Sequence, residues 1–313
     1  MYRLKYSKLL RLSLITGLYL FSGISAQTLS AQESTNGEKT IVYQLFEYPT
    51  APEEIEGLAE RSDWLMANFW NGMNLSSNSP VDQNALNHAF QVYCIPMQWA
   101  SRDAVMEGSR TLLKKIEKNP TLLMQFTKAA EENLYGPRSA IWIDEVYELY
   151  LDALVKSKKI DATRKIRYND QLNIIRRSAI GSNAPLFNYE TIDGKQMQYF
   201  PMATFTIIEF GDPDCDDCRM GRLAMESNVA LTRLIDQGKI NIIFMIPDAE
   251  EDWKEKVADY PEKWIIGATD NADESYDLRV TPAVYVVNGK GKIIAKNISV
   301  REAIDIAVKN LSE

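Results

Sequence analysis

The sequence is poor in the side chains that most often hold metals. It has one histidine, His88, and three cysteines in 313 residues. Zinc, copper and haem centres draw chiefly on His and Cys, so no resident metal is expected. His88 lies in a polar, helical stretch, where a lone histidine is more often structural or solvated than catalytic, and this sets a Ser-His-Asp triad aside. Basic charge is also short: 35 Lys and Arg stand against 43 Asp and Glu, a net charge of −8. An acidic chain repels phosphate backbones, so no nucleic-acid partner is expected. After the N-terminal stretch, no apolar run reaches the length of a membrane span.

What is present suits a soluble globular chain: 45% of the residues are hydrophobic and 25% charged. The length fits two domains. Residues 1–26 read as a secretory signal peptide. Arg3, Lys5, Lys8 and Arg11 make a basic start, an apolar run follows from Leu12 to about Phe21, and Gly23, Ser25 and Ala26 offer a cleavage site. An uncleaved anchor is the alternative, but the apolar run is short for a span. No cysteine near the cleavage region offers a lipid anchor. Cleavage near Ala26 or Ala31 would take the net charge to −12 and leave a soluble periplasmic or secreted protein.

Residues 27–39 are polar and expected to be flexible. From 40 to 178 the apolar spacing follows a helical period, with helices expected near 58–70, 82–94, 101–117, 119–133, 141–157 and 161–177. Asn119-Pro120 and Gly136-Pro137 punctuate them. This half is expected to be an all-helical domain. Its Trp64, Phe69, Trp70, Trp99 and Trp142 are expected in its core more than in a ligand cage. Cys94 is expected to be a buried thiol.

The pattern changes at residue 179. Asp193-Gly194 marks a hairpin, Thr204 to Phe210 a buried strand, and Cys218 to about Gln237 a helix closed by Gly238. Ile240 to Ile246 is a second buried strand, Glu250 to about Asp259 a short surface helix, and Trp264 to Ala268 a short strand. Ala283–Val287 and Lys292–Ala295 flank a hairpin signal at Asn288-Gly289, and Val300 to Leu311 ends the chain as an amphipathic helix. Residues 179–313 thus read as an α/β domain, a mixed sheet layered by helices.

Cys215-Asp216-Asp217-Cys218 sits where this strand meets this helix. At a helix N-terminus the exposed N–H groups and the macrodipole favour a thiolate, and two intervening residues bring the second sulfur within bridging reach. A thiolate so placed attacks a disulfide, and the second thiol resolves the mixed disulfide.

This half resembles the thioredoxin-like superfamily, and more closely its exported TlpA/ResA-like branch. The landmarks run in order. Gly181-Ser182-Asn183-Ala184-Pro185-Leu186-Phe187 is similar to that branch's opening motif. Glu209 stands six residues before Cys215, where thioredoxins carry a buried acid. Tyr276-Asp277-Leu278-Arg279-Val280-Thr281-Pro282 resembles the segment that ends in the family's cis-proline. The resemblance implies a thiol–disulfide oxidoreductase, a disulfide reductase or isomerase. Cys215 would be the nucleophile, Cys218 the resolving thiol and Glu209 a proton relay. Pro282 would shape the substrate groove and the Thr281 backbone would pair with a bound peptide. No cofactor beyond the redox disulfide is implied. Partners would be protein thiols or disulfides outside the cytoplasm, with a membrane or periplasmic electron donor.

The chain departs from the pattern around the cysteines. Asp214 stands where thioredoxins usually have Trp, and Asp216 and Asp217 fill the space between the sulfurs. These carboxylates, with Asp212, oppose a thiolate on Cys215, so a reducing pair is expected rather than a strong disulfide donor. The alternative is a non-catalytic thioredoxin-fold binding protein with a structural disulfide. In the helical half, Arg61-Ser62-Asp63-Trp64-Leu65 with Phe69-Trp70, Leu134 to Ser139, and Arg167 to Ile180 resemble a helical domain of unknown function found ahead of thioredoxin-like domains. That resemblance implies no chemistry.

Overall fold

A computed structural model describes residues 31–33, 39–41, 44–76, 79–201 and 204–311. The signal peptide read at 1–26 and most of the flexible segment read at 27–39 lie outside the described residues. Against the flexible reading of 27–39 and the all-helical reading from 40, the backbones of β1 (Ala31–Glu33) and β2 (Lys39–Ile41) pair antiparallel across that boundary. Among the described residues no helix is long and apolar enough to cross a membrane. The chain divides into two compact units between Leu172 and Asn173.

The first unit is built from α1 (Leu58–Asn68), α2 (Gln83–Cys94), α3 (Arg102–Ile116), α4 (Pro120–Leu134), α5 (Asp144–Lys156) and most of α6 (Ala162–Arg177). Side-chain caps explain several starts. Asp82 accepts from the Ala85 N–H at 2.8 Å, and Asn119, followed by Pro120, accepts from Thr121 and Leu122. Gly108 lets α3 press on α1, since a Cβ there would stand 2.4 Å from the Met66 carbonyl oxygen. Phe69 and Trp70 are buried, and the Trp70 ring meets Phe126, Tyr93 and Phe90. The aromatic expectation holds for these two only: Trp64 and Trp142 are half-buried, and Trp99 is exposed. Cys94 is buried, and burial pushes its thiol far up.

The second unit carries a seven-stranded mixed sheet. In chain order its strands are β3 (Phe187–Thr191), β4 (Gln196–Tyr199), β5 (Phe205–Phe210), β6 (Ile240–Pro247), β7 (Ile265–Thr269), β8 (Ala283–Val287) and β9 (Ile293–Lys296). In space the order is β4-β3-β7-β6-β5-β8-β9. β5 pairs parallel with β6 and antiparallel with β8. It is central, and all six of its residues are buried. Alternation along β5 divides the core. Phe205 and Ile207 join Phe244, Val284, Val300 and Ile304 on one face, while Ile208 and Phe210 join Tyr276 and Tyr285 on the other.

Three local readings are corrected. The helix expected from Cys218 to Gln237 is two, α7 (Asp216–Ser227) and α8 (Val229–Asp236). Asn228 interrupts them, because its side chain accepts from the Leu231 N–H at 2.9 Å and caps α8. The surface helix expected over 250–259 shrinks to one turn, α9 (Trp253–Lys256), whose Trp253 is buried. At the last hairpin Asn288 Oδ1 accepts from the backbones of Lys290 and Lys292. The left-handed position falls on Gly291, at φ 71°, rather than on Gly289. The terminal helix α10 (Val300–Leu311) is as expected.

Candidate active site

The chain leaves β5 at Phe210, turns through Gly211 to Asp214, and enters α7 with Cys215 as its N-cap. The turn is tied by its own polar groups. Cys215 N donates to Asp212 O at 3.0 Å, and Asp214 N donates to the Asp212 carboxylate at 2.8 Å. Cys215 Sγ accepts from the Cys218 N–H at 3.4 Å, so the first sulfur faces the free N–H groups that open the helix. Cys215 is half-buried and Cys218 fully buried, and the two sulfurs are unbridged thiols. Burial, the Cys215 sulfur and the nearby Glu209 charge together hold the Cys218 thiol well above the usual range.

Glu209 lies below this pair. It is fully buried in the central strand, flanked by Phe244 on β6 and Val284 on β8. Neither carboxyl oxygen has a hydrogen-bond partner among the described residues. Burial pushes its pKa up to about 8. The space above it is kept by two glycines. A Cβ on Gly211 would stand 3.1 Å from Cys218 Sγ, and one on Gly221 would stand 3.6 Å from Glu209 Oε1 and 2.7 Å from Val300 Cγ2. A buried, unpartnered acid near a buried thiol is a pair able to exchange a proton.

Thr281 and Pro282 stand at the same end of the sheet. Phe210 pairs with Ala283 across β5 and β8, so Pro282 follows that register to the level of Gly211. The Thr281–Pro282 peptide is cis. The segment before it is anchored from beneath. Asp277 is buried and accepts two bonds from Arg279 Nε at 2.9 and 2.8 Å and one from Asn297 at 3.2 Å, and Lys296 lies 3.9 Å away. The Tyr285 hydroxyl takes the Asp277 N–H at 2.8 Å and donates to its carbonyl at 3.0 Å.

The acidic frame is less bare than the sequence implies. Lys256 Nζ, from α9, lies 2.8 Å from Asp214, 2.9 Å from Glu250 and 3.0 Å from Asp252. These carboxylates, Asp214 first, hold the Lys256 ammonium far above the usual lysine range. Asp216 pairs with Arg219 at 2.6 Å, with both side chains mostly in water. Asp217 is exposed, and no ion pair reaches it among the described residues.

The structure therefore brings Cys215, Cys218 and Glu209 together, with Thr281-Pro282 at the same edge. Sequence reasoning missed Lys256, and also Tyr260, which is nearly buried and stacks under Arg222 at 4.5 Å. The pKa of Tyr260 is pushed up to about 12, chiefly by burial, with smaller effects from Glu209 and Cys218. Neither has a local signature, since both come from the segment between β6 and β7, far along the chain from Cys215.

A family model described as a domain of unknown function (DUF5106) matches residues 23–178. No curated protein matches the chain. Among solved structures, a thioredoxin-like protein from Bacteroides caccae superposes with a TM-score of 0.71 at 21% identity, covering 86% of this chain and 99% of that one. A thioredoxin domain of a thiol-disulfide oxidoreductase from Bacteroides vulgatus covers 42% of this chain and 98% of its own, at 21% identity and a TM-score of 0.38. A thiol:disulfide interchange protein from Bacteroides sp. covers 44% and 93%, at 21% identity and a TM-score of 0.38. The first superposition shows the fold: this chain has a thioredoxin-like unit. The two smaller ones add nothing to that assignment.

Proposed function

We propose that this protein is a thiol–disulfide oxidoreductase that works outside the cytoplasm on protein thiols or disulfides. The observation that carries the reading is the stacking of a half-buried thiol at a helix N-terminus, a buried second thiol, and a buried unpartnered carboxyl beneath them.

In the reducing direction the Cys215 thiolate attacks one sulfur of a partner disulfide. The partner S–S bond breaks as the Cys215–partner S–S bond forms, and the first partner thiolate leaves and is protonated by water. Glu209 accepts the Cys218 proton, and the resulting thiolate attacks Cys215 Sγ. That closes the Cys215–Cys218 disulfide and releases the second partner thiol, so one dithiol is oxidised for each disulfide reduced. Oxidation or isomerisation of partners uses the same bonds in reverse or in sequence. A thiol-class reductant would restore the dithiol. Thr281-Pro282 would hold the partner backbone beside Cys215, as a strand held by an exposed edge. Export rests on the basic and apolar pattern of residues 1–26, and N-terminal sequencing of protein recovered from cells should begin between Gln27 and Gln32.

The test is stoichiometric reaction of the reduced protein with a disulfide, followed by mass. Cys218→Ser should stop at a mixed disulfide on Cys215, and Cys215→Ser should not react. A pair with a potential below about −300 mV that never exchanges with partners would instead make the disulfide structural.

A further inference from the structure

Two loops frame Cys215, and both are acidic. Residues 212–219 carry Asp212, Asp214, Asp216 and Asp217 against Arg219 alone. Residues 248–256 carry five carboxylates against Lys254 and Lys256. Lys256 proves that the loops meet, because its ammonium touches Asp214 from one and Glu250 and Asp252 from the other, all within 3.0 Å. The joined rim carries a net charge of −6. The cations within it are already engaged: Lys254 lies 2.5 Å from Glu190 and Arg219 pairs with Asp216. On the opposite side, Val280, Thr281 and Pro282 are uncharged, and Arg279 is buried on Asp277. An approaching partner thus meets a rim that stays net negative after Lys254, Lys256 and Arg219 are counted. On the outer face of α7, Asp216 is followed at helical spacing by Met220 and Leu223, which are 60% and 44% exposed.

We infer that the Cys215 site selects partner cysteines flanked by basic residues, in polypeptide segments with an apolar side chain nearby. The inference rests on the redox reading of Cys215 and Cys218 and adds the substrate class. Opposite charge raises the encounter rate and steadies the mixed disulfide, and salt weakens both effects. The same rim repels acidic segments, which supplies discrimination as well as attraction.

The experiment uses three disulfide-linked peptide dimers that differ only in Lys, Gln or Glu on each side of the cysteine. Each is mixed with the reduced full-length protein at low and high salt. Each rate is divided by that of the same peptide with dithiothreitol, which removes differences in intrinsic disulfide reactivity. The Lys peptide should react about ten-fold or more faster than the Glu peptide at roughly 0.02 M salt, with Gln between, and the ratio should fall several-fold near 1 M. Asp212→Asn/Asp216→Asn/Asp217→Asn, all exposed changes, should shrink the Lys-to-Glu ratio at low salt. Equal or reversed rates, or a ratio indifferent to salt and to these substitutions, would overturn the inference while leaving the redox reading intact. No reaction with any peptide would overturn both.

Discussion

Lys256 holds the carboxylate of Asp214, the residue before the first cysteine, at 2.8 Å, while Glu250 and Asp252 take its remaining hydrogen bonds. The ammonium offsets the negative charge of Asp214, next to Cys215 in the chain, and ties α9 to the turn that opens α7.

Lys256→Met should therefore make the pair more reducing. The Asp214 side chain is largely exposed, so solvent screens its effect. A change of about three- to ten-fold in the equilibrium with glutathione is expected, roughly 15–30 mV. Lys256→Arg should restore most of it. A glutathione titration of the three proteins reads the difference.

Glu209 should make stability fall as pH rises. Its folded pKa, about 8, lies above the ordinary carboxyl value, so the folded state holds the proton more tightly than the unfolded chain. Its contribution is fully present below about pH 4 and is lost progressively up to about pH 8, on the order of a few kcal/mol in all. Glu209→Gln should flatten that slope when denaturant midpoints of the reduced protein are compared between pH 5 and 8.5. The same variant should slow resolution of the mixed disulfide more than its formation.

Gly221 allows α7 to lie against α10. Gly221→Ala would drive a methyl to within 2.7 Å of Val300 Cγ2, and overpacking of this kind costs about 1–3 kcal/mol. Val300→Ala introduced alongside should recover part of the loss, giving a favourable coupling in a double-mutant cycle.

Asp277→Asn should destabilise the second unit by about 3–5 kcal/mol, because the Arg279 and Lys296 side chains are buried around a carboxylate that would be gone. Thermal unfolding checks the loss. Asp277→Asn/Arg279→Met should be milder than Asp277→Asn alone, since it removes one of the stranded cations.

The Cys215–Cys218 spacing, the strand before it and the helix after it were legible in the sequence, because strand and helix periods and cap chemistry act over neighbouring residues. Glu209 was legible as a buried acid through the resemblance and the apolar run around it, but the strands that flank it were not. A carboxyl in an apolar run reads the same on an edge strand and on a central one, and only the pairing of β5 between β6 and β8 put it in the middle. Asn228, three residues before Leu231, is a residue type that suits an N-cap, yet the apolar period runs through it and conceals the break.

By itself the sequence determined two units of different secondary structure, a thiol pair at a strand–helix junction, and an acidic surround, since composition, periodicity and spacing are local properties. Tertiary structure alone decided the electrostatics of the site. Lys256 reaches Asp214 from 42 residues downstream, and Gly221 leaves room over Glu209 against Val300 from the last helix. Charge pairing and desolvation depend on which atoms meet in space, and no linear pattern records those meetings.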